Sequence, residues 1–311
     1  PSPIFLPAYS TRTNFITPEL EAASFPPYLT LLPSSDKAEV FPFTAYLSPS
    51  IAKKEFILSH FIQPNLYIRI QKGMESKVKK TLEKNEVPFE ELAAQTLSLP
   101  NGTNLQQIKS IDGDYEVQDL SSQQSLNELE VVPRSSWWDC CAASGGKSLL
   151  LLDKEPNVKL LVSDIRLSIL RNLDERFEKA NIRTYFRKKI LDLSKPVGHI
   201  MGEESFDGII LDAPCSGSGT WGRTPEMLQK FTSNELQRYS DLQKQIVKHV
   251  VPFLKPGKTL LYITCSVFEA ENEEVSKYIS DTLGLQLVVQ HPLIGYDKKA
   301  DSMFVAKFVK A

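Results

Sequence analysis

The chain has 311 residues, of which 41% are hydrophobic and 24% are charged, and its net charge at pH 7 is −2. This composition predicts a globular protein with a buried core and excludes a binder that holds nucleic acid by overall positive charge alone, although a local basic face is compatible with it. Because no run of about 18 apolar residues and no secretory signal pattern occurs, we expect a cytoplasmic protein with no membrane partner.

The cysteine content predicts neither a disulfide framework nor a zinc site. Only four cysteines occur in the chain, and they form no Cys-x-x-Cys pair and no cluster with histidine. The histidines are scattered along the sequence. We therefore expect a reducing compartment, no bound metal and no His-based catalytic triad.

Residues 1 to 59 are predicted to form an irregular leader. Nine of the twenty prolines fall in this part of the chain, and proline interrupts both helices and sheets. Short helices are expected around Pro18 to Ala23 and Ser48 to His60. The sequence does not indicate a function for the leader.

Residues 60 to 127 are predicted to form a small α+β module. Leu66 to Ile70 alternates like a strand, and the apolar residues Met74, Val78 and Leu82 then follow at intervals of four, which marks one face of a helix. Four lysines on the other positions of this helix are interpreted as solvated surface in preference to an RNA contact. Two further short strands are expected at Leu97 to Pro100 and Tyr115 to Asp119.

Residues 128 to 311 alternate between apolar runs and helical stretches. The seven apolar runs are Trp137 to Cys141, Leu160 to Ser163, Thr184 to Phe186, Gly208 to Leu211, Leu260 to Thr264, Gln286 to Val289 and Met303 to Val309. Strands joined by helical crossovers build a mostly parallel, doubly wound sheet. The prediction is therefore an α/β, Rossmann-like fold whose ligands bind outside the carboxyl ends of the strands.

The segment from Asp139 to Ser148, DCCAASGGKS, leads from a strand through a Gly-Gly turn into an apolar helix. Gly145 and Gly146 allow the backbone to approach a ligand at the positive end of that helix. A P-loop would require glycine where Cys141 stands, and no dinucleotide fingerprint is present. By itself, the segment is equally compatible with a ligand loop and with a tight turn.

Three carboxylates, Asp164, Asp192 and Asp212, end or nearly end successive strands. Asp164 occupies the position where doubly wound folds bind the two hydroxyls of a ribose, and it is also a candidate cap for the following helix. Because the phosphate-binding motifs are missing, S-adenosylmethionine is the expected nucleoside ligand.

Cys215 and Cys265 each follow an apolar run, so two thiols are predicted to meet over one pocket. Methylation of a pyrimidine at C5 requires a thiolate to add at C6, and a second thiol can assist release. Asp212 is a candidate to protonate or hydrogen-bond N3 of cytosine, and Lys147 and Arg223 are candidates for a positive environment. Cys140 and Cys141 are better explained by packing or backbone contact with a ligand.

Over residues 65 to 311 the chain resembles the RNA 5-methylcytosine methyltransferases of the RsmB/Nop2/Sun family. The segments that carry the resemblance are Cys141 to Ser148 (CAASGGKS), Asp212 to Thr220 (DAPCSGSGT), Arg223 to Glu226 (RTPE), Thr264 to Ser266 (TCS) and Glu271 to Glu273 (ENE). Weaker matches are Arg69 to Lys72, Gln118-Asp119 with Ser122-Gln123, and Gln243. The sequence departs from the family pattern at Ser144, which replaces proline and is expected to loosen the cofactor loop, and at Gln71 and Ile169.

The resemblance implies specific roles for these residues. Cys265 would be the nucleophile, Cys215 the thiol that assists release, and Asp212 would lie between cofactor and base. S-adenosylmethionine would be bound by Cys141, Ala142, Ala143, Ser144, Gly145, Gly146 and Lys147, with Asp164 on the ribose, Asp192 near the adenine and Asp212 beside the reacting centre. Residues 60 to 127 would match the family's RNA-binding module, and residues 128 to 311 its catalytic domain.

The sequence therefore predicts an S-adenosylmethionine-dependent RNA (cytosine-C5)-methyltransferase. We expect a monomer that acts on ribosomal RNA, with transfer RNA as the alternative substrate. A non-catalytic RNA-binding or ribosome-assembly protein that retains the fold is a second alternative. A nicotinamide oxidoreductase is disfavoured by the missing dinucleotide fingerprint.

Overall fold

The structure is a computed structural model that describes residues 41–182 and 186–311. The helix predicted around Pro18 to Ala23 and most of the predicted leader lie outside these residues. The helix predicted at Ser48 to His60 is shorter than expected and forms α1 (Lys53–Ser59).

A small antiparallel sheet lies in the N-terminal half of the chain. Its strands are β1 (Leu66–Ile70), β2 (Glu90–Ala93), β3 (Thr96–Leu99) and β4 (Tyr115–Val117), arranged in the order β2-β3-β1-β4. Helix α2 (Glu75–Lys84) buries Val78 and Leu82 against this sheet. This arrangement confirms the predicted helix face, and Lys77, Lys80 and Lys84 on its other positions are exposed.

A seven-stranded sheet forms the larger part of the molecule, in the order β10-β11-β9-β8-β5-β6-β7. Its strands are β5 (Ser136–Asp139), β6 (Lys159–Asp164), β7 (Phe186–Ile190), β8 (Phe206–Asp212), β9 (Leu254–Thr264), β10 (Leu285–Leu293) and β11 (Met303–Lys310). β11 is antiparallel to β9 and β10, whereas the other neighbours are parallel. The predicted Rossmann-like α/β fold is confirmed.

Helices connect these strands and cover the sheet. They are α3 (Leu120–Gln124), α4 (Gly146–Lys154), α5 (Leu167–Lys179), α6 (Gly198–Met201), α7 (Glu226–Lys230), α8 (Ser233–Val250) and α9 (Glu273–Asp281). Among the helices of the described residues, none has the length and apolar character needed to cross a bilayer.

Two hydrophobic layers cover opposite faces of the large sheet, because neighbouring side chains on a strand point to opposite sides. Trp138 packs in one layer with residues of α8 and α9, and Trp137 packs in the other with residues of α4 and α5. The helices are thereby fixed on the sheet, and the loops at the carboxyl ends of the strands are held in defined positions.

The third predicted strand differs in position from the structure. It was expected at Thr184 to Phe186, but residues 184 and 185 lie outside the described residues. The observed strand, β7, spans Phe186–Ile190. β7 lies at the edge of the sheet and its sequence, FRKKI, has mostly exposed or half-buried side chains. A search for apolar runs therefore places this strand too early in the chain.

The chain from Phe41 to Ser59 packs beside the loop that follows β9. Phe41 and Phe56 share an aromatic cluster with Trp221 and Phe268. The Ser48 backbone N–H also donates to the Val267 carbonyl at 2.8 Å. The described end of the leader is thus joined to the large sheet by apolar packing and by backbone hydrogen bonds.

Candidate active site

Two thiols meet at the carboxyl ends of neighbouring parallel strands. β8 and β9 pair with Asp212 opposite Ile263. Cys215 follows β8 after a short turn, and Cys265 follows β9 directly. Their Sγ atoms are 3.3 Å apart, which is hydrogen-bond distance for sulfur, and both side chains are half-buried.

The hydrogen bond between the two thiols affects their proton affinity. The pKa of Cys215 is raised well above its ordinary value, first by its hydrogen bond with Cys265 and then by burial. The negative charge of nearby Glu271 acts in the same direction. Either sulfur atom can be the donor in this hydrogen bond.

A cleft of about 520 Å³ opens beside the thiols. The predicted site residues that line it are Cys141, Ala143, Asp164, Asp192, Asp212, Cys215 and Cys265. A cleft of this size is within the range of small-molecule sites, roughly 300–1,000 Å³. The structure therefore brings the predicted cysteines and the three predicted carboxylates together around one cavity.

The other predicted cofactor residues do not line the cleft. They are Ala142, Ser144, Gly145, Gly146 and Lys147. Ala142 is buried in the hydrophobic layer of α4 and α5. Gly145 has φ +85°, and a Cβ at this position would lie 2.8 Å from Leu173 and 2.9 Å from Phe177, so only glycine fits. Helix α4 then begins at Gly146. These residues shape the turn that positions Cys141 and Ala143 at the cavity.

Asp164 is nearly buried and already has local partners. Its carboxylate accepts from the Ala143 backbone N–H at 3.1 Å, and from the backbone N–H and Nε of Arg166 at 2.9 and 3.0 Å. The N-cap position of α5 is Arg166, so Asp164 is not itself the cap residue. Its local role is to join the Gly-Gly turn to the end of β6, while it also lines the cleft.

Asp192 lies just beyond β7 and also lines the cleft. It accepts from the Ser194 backbone N–H at 3.1 Å and from the Ser194 hydroxyl at 2.5 Å, and Lys195 lies 3.3 Å away. The hydroxyl bond from Ser194 is the main reason why the pKa of Asp192 is lowered. This carboxylate is therefore ionised at neutral pH.

Lys147 connects Asp212 with the segment that precedes the large sheet. Its ammonium lies 3.1 Å from Asp212 and donates to the Ser122 hydroxyl, on α3, at 2.9 Å. Gln118 donates to the same hydroxyl at 3.2 Å. Lys147 was proposed as a positive neighbour of the thiols, and its partner in the structure is Asp212. The sequence motif at Gln118 to Gln123 includes Ser122, but nothing in the sequence predicts the contact of Ser122 with Lys147.

Arg223 was the second candidate for a positive environment, and the structure places its guanidinium elsewhere. It donates to Asp119 at 2.7 Å, to Asp301 at 2.8 Å and to the Asn65 carbonyl at 2.9 Å. Arg223 is absent from the lining of the cleft. It joins the loop after β8 to residues that flank the small sheet, Asn65 and Asp119, and to Asp301 in the loop before β11.

Ser144, where the family pattern has proline, is held by a residue that the sequence did not reveal. Arg176 on α5 donates to the Ser144 hydroxyl at 2.8 Å and to its carbonyl at 3.1 Å. The same guanidinium binds Glu116 of β4 at 2.7 Å. The cofactor turn is thus fixed from outside, which compensates for the looser backbone expected of serine at this position.

The other two cysteines differ in exposure. Cys140 is buried in the core, its Sγ lies 3.2 Å from the Ile210 carbonyl, and burial raises its pKa well above the ordinary value. Cys141 is half-buried and lines the cleft. Among residues 41–182 and 186–311, no group of three or more His, Cys, Asp or Glu side chains could hold a metal ion.

The seven-stranded Rossmann-like sheet has this cleft at its carboxyl edge, which is where sheets of this class bind their ligands. The model of the family described as 16S rRNA methyltransferase RsmB/F matches residues 126–309. The chain therefore belongs to this family of rRNA methyltransferases, which supports the predicted RsmB/Nop2/Sun membership. Because the matching family is one of rRNA methyltransferases, the alternative of a nicotinamide oxidoreductase is excluded.

Curated relatives carry matching names. The chain is 32% identical over 178 residues to ribosomal RNA small subunit methyltransferase B of Shewanella oneidensis, covering 57% of this chain and 41% of the relative. It is 31% identical over 207 residues to the protein of the same name from Serratia proteamaculans, covering 64% and 48%. The chain thus spans less than half the length of these two relatives.

Solved structures share the fold. A methyltransferase homologue from Pyrococcus horikoshii superposes with a TM-score of 0.71 at 19% identity, covering 95% of this chain and 100% of the other. NSun6 from the same organism, solved with SFG, gives a TM-score of 0.73 at 15% identity, covering 92% and 98%. At these identities the likeness supports the methyltransferase fold.

Proposed function

We propose that the chain is an S-adenosylmethionine-dependent RNA (cytosine-C5)-methyltransferase. The observation that carries the proposal is the 3.3 Å separation of the Sγ atoms of Cys215 and Cys265, both of which line the cleft with Asp212. A nucleophilic thiolate and a second thiol beside a nucleoside-sized cavity are the groups that methylation at pyrimidine C5 requires.

Cys265 is the nucleophile in this proposal. Its thiolate adds to C6 of the cytosine, and the electron pair of the C5–C6 double bond makes C5 nucleophilic. Asp212 protonates or hydrogen-bonds N3 as charge develops there. S-adenosylmethionine, when bound, supplies the methyl group as an electrophile.

Cys215 assists the release step. After methylation the proton on C5 must leave, and the bond between C6 and Cys265 must break to restore the ring. A second sulfur within hydrogen-bond distance of Cys265 is suitably located to take part in this proton transfer. Without it, the covalent adduct is expected to persist.

The chain also offers a site that fits the cofactor. Cys141 and Ala143, in the turn that precedes α4, line the cleft together with the carboxylates Asp164 and Asp192. In our proposal Asp164 binds the ribose hydroxyls and Asp192 lies near the adenine, while residues 141 to 147 form the turn beside the cofactor. Carboxylates at strand ends are the usual acceptors for ribose in this class of sheet.

Ribosomal RNA is the proposed substrate, because the curated relatives are named small subunit rRNA methyltransferases. We retain residues 60–127 as the proposed RNA-binding module and residues 128–311 as the catalytic domain, preceded by a leader at residues 1–59. A monomer in the cytoplasm is likewise proposed. The target cytosine has to leave its base stack to reach a thiol in a cleft of this kind.

The proposal is tested by comparing Cys265→Ala and Cys215→Ala with the wild type. Each protein is incubated with methyl-labelled cofactor and with rRNA or tRNA fractions from cells that lack the gene. Wild type should label rRNA, Cys265→Ala should give neither product nor adduct, and Cys215→Ala should accumulate a covalent RNA adduct that survives denaturing electrophoresis. Methyl transfer by Cys265→Ala would overturn the assignment, and labelling confined to tRNA would overturn the choice of substrate.

A non-catalytic RNA-binding or ribosome-assembly factor is the alternative from a different functional class. Such a protein has no need for two adjacent thiols or for a cofactor cleft, and both features are present. Calorimetric titration with S-adenosylmethionine distinguishes the two, since absence of both binding and methyl transfer would favour the alternative.

A further inference from the structure

Glu271 is a fully buried carboxylate to which the proposed reaction assigns no role. It lies in the loop between β9 and α9. One carboxylate oxygen accepts from the Ser216 backbone N–H at 2.8 Å and from Gln243 Nε2 at 3.2 Å. The other accepts from the hydroxyl of Ser216 at 2.5 Å and from that of Ser266 at 2.5 Å. The side chain of Glu271 thus accepts four hydrogen bonds.

The two serines that Glu271 binds directly follow the two cleft thiols in the sequence. Ser216 comes after Cys215, and Ser266 comes after Cys265. The serine hydroxyls are themselves 3.3 Å apart. The carboxylate therefore ties the loop after β8 to the loop after β9 at the point where each loop carries its sulfur atom.

Further contacts make this connection rigid. Gln243, on α8, donates to the Pro214 carbonyl at 3.0 Å as well as to Glu271. Ser218 accepts from the Val267 backbone N–H at 2.9 Å, so the loops are also joined on the far side of the serines. The separation of the two sulfur atoms consequently depends on a network with Glu271 at its centre.

A role in packing alone does not explain this residue well. A buried carboxylate is costly, and well-packed apolar groups often replace buried charged groups without loss of stability. Burial raises the pKa of Glu271 even though the bonds from Ser216, Ser266 and Gln243 act in the opposite direction. An acidic residue here adds hydrogen bonds to both loops, and its negative charge also favours a protonated Cys215.

We propose that Glu271 is a positioning residue that sets the distance between Cys215 and Cys265, so that the release step depends on it. The proposal rests on the proposed function, in which attack needs Cys265 alone and release needs both thiols. Replacing Glu271 is therefore expected to slow release more than attack. Removal of a charged hydrogen-bond partner should slow release about tenfold.

The first experiment measures the thiol pair without RNA. Phenylarsine oxide, a trivalent arsenical, bridges two thiols only when they lie close together, and mass spectrometry counts the protein molecules that retain it. Wild type should be bridged, whereas Glu271→Gln should be bridged at least several-fold more slowly. Cys215→Ala serves as the blank. Bridging of Glu271→Gln at the wild-type rate would overturn the inference.

Glu273→Gln is the matched control. Glu273 is a neighbouring carboxylate that accepts from the Ser48 hydroxyl at 2.8 Å, and the structure gives it no bond to either serine of the thiol loops. This variant should be bridged at the wild-type rate, and circular dichroism should show that all variants are folded. If Glu271→Gln does not fold, Ser216→Ala and Ser266→Ala each remove one arm of the network and should slow bridging. If both serine variants are bridged at the wild-type rate, the inference is also overturned.

The second experiment follows the RNA adduct. Glu271→Gln should accumulate adduct, as Cys215→Ala does, while it still attacks the base. In one outcome, neither the wild type nor any variant forms adduct or product, but bridging by phenylarsine oxide still depends on Glu271. The proposed function then fails and the positioning role stands. If Cys215→Ala traps adduct but Glu271→Gln releases product at the wild-type rate, the positioning role fails and the proposed function stands.

Discussion

The ammonium group of Lys147 lies 3.1 Å from the carboxylate of Asp212, at the end of the strand that leads to Cys215. Lys147 is only 7% exposed, and it donates a further hydrogen bond to Ser122. A lysine buried to this extent requires a partner, because an unpaired charge in the interior is strongly unfavourable. The pair therefore fixes the position of the carboxyl group that is proposed to act on N3 of cytosine.

Replacing Lys147 by methionine should reduce both activity and stability. The change keeps most of the apolar stem but removes the ammonium group that pairs with Asp212 and donates to Ser122, which is expected to lower the free energy of unfolding by about 1–3 kcal/mol. Urea denaturation measures that loss, and steady-state kinetics should show at least about a tenfold lower kcat/KM. Lys154→Met, at the exposed end of the same helix, is the control. Equal effects of the two variants would contradict the role given to the Lys147–Asp212 pair.

Gly219 should not tolerate alanine. A Cβ at this position would lie 2.0 Å from the Ser302 carbonyl oxygen and 3.1 Å from that of Cys265. Both contacts are with backbone, and Gly219 also donates to the Cys265 carbonyl at 2.9 Å, so the loop cannot move without displacing the proposed nucleophile. Gly219→Ala should destabilise the protein by roughly 3 kcal/mol or more and alter the rate at which Cys265 reacts with iodoacetamide.

Gly222→Ala provides the comparison for this variant, because its added Cβ would make only an ordinary contact with Pro64 at 3.7 Å. Thermal unfolding and alkylation followed by peptide mass spectrometry give the two measurements. A Gly219→Ala protein as stable as Gly222→Ala, with unchanged Cys265 reactivity, would show that the close approach of the two backbones is not required.

Arg176 should matter for cofactor binding although it is absent from the lining of the cleft. It holds Ser144 of the cofactor turn and is itself anchored by Glu116. Arg176→Gln should weaken binding of S-adenosylmethionine several-fold in isothermal titration calorimetry, because the turn loses its external support. Arg171→Gln, on an exposed position of the same helix, should bind as the wild type does. Unchanged affinity in Arg176→Gln would mean that the turn holds its shape without this contact.

These residues also indicate how far the sequence could predict the structure. Six of the seven strands, their order of appearance and the approach of Cys215 to Cys265 follow from apolar runs and from the rule that parallel strands end at the same edge of a sheet, whereas the edge strand β7 is not apolar and was placed too early. Arg176, Ser122 and Glu271 act through partners from other segments of the chain, so their positions depend on three-dimensional packing. A single sequence contains no periodicity that would reveal such contacts. For the same reason Arg223, which was expected near the thiols, has its carboxylate partners away from the cleft, and Lys147 pairs with Asp212 at the cleft.

Asp139 should make the protein less stable as the pH rises from about 4 to about 7. Burial raises its pKa from 3.8 to about 7, against the opposing effect of its hydrogen bond from Ser148. In this interval the folded protein holds a proton that the unfolded chain has released, so the free energy of unfolding falls with increasing pH. Asp139→Asn cannot release a proton and should flatten this part of the stability profile, measured by urea denaturation from pH 2 to pH 8.

Asp207 supplies the control of opposite sign. Burial alone would raise its pKa, but hydrogen bonds from Ser136 and Lys255 outweigh that effect and lower the pKa from 3.8 to about 2. Its contribution to stability is present above pH 4 and is lost as the pH falls towards 2. Asp207→Asn should therefore change only the acid side of the profile. If both variants alter the same pH interval, the raised pKa assigned to Asp139 is wrong.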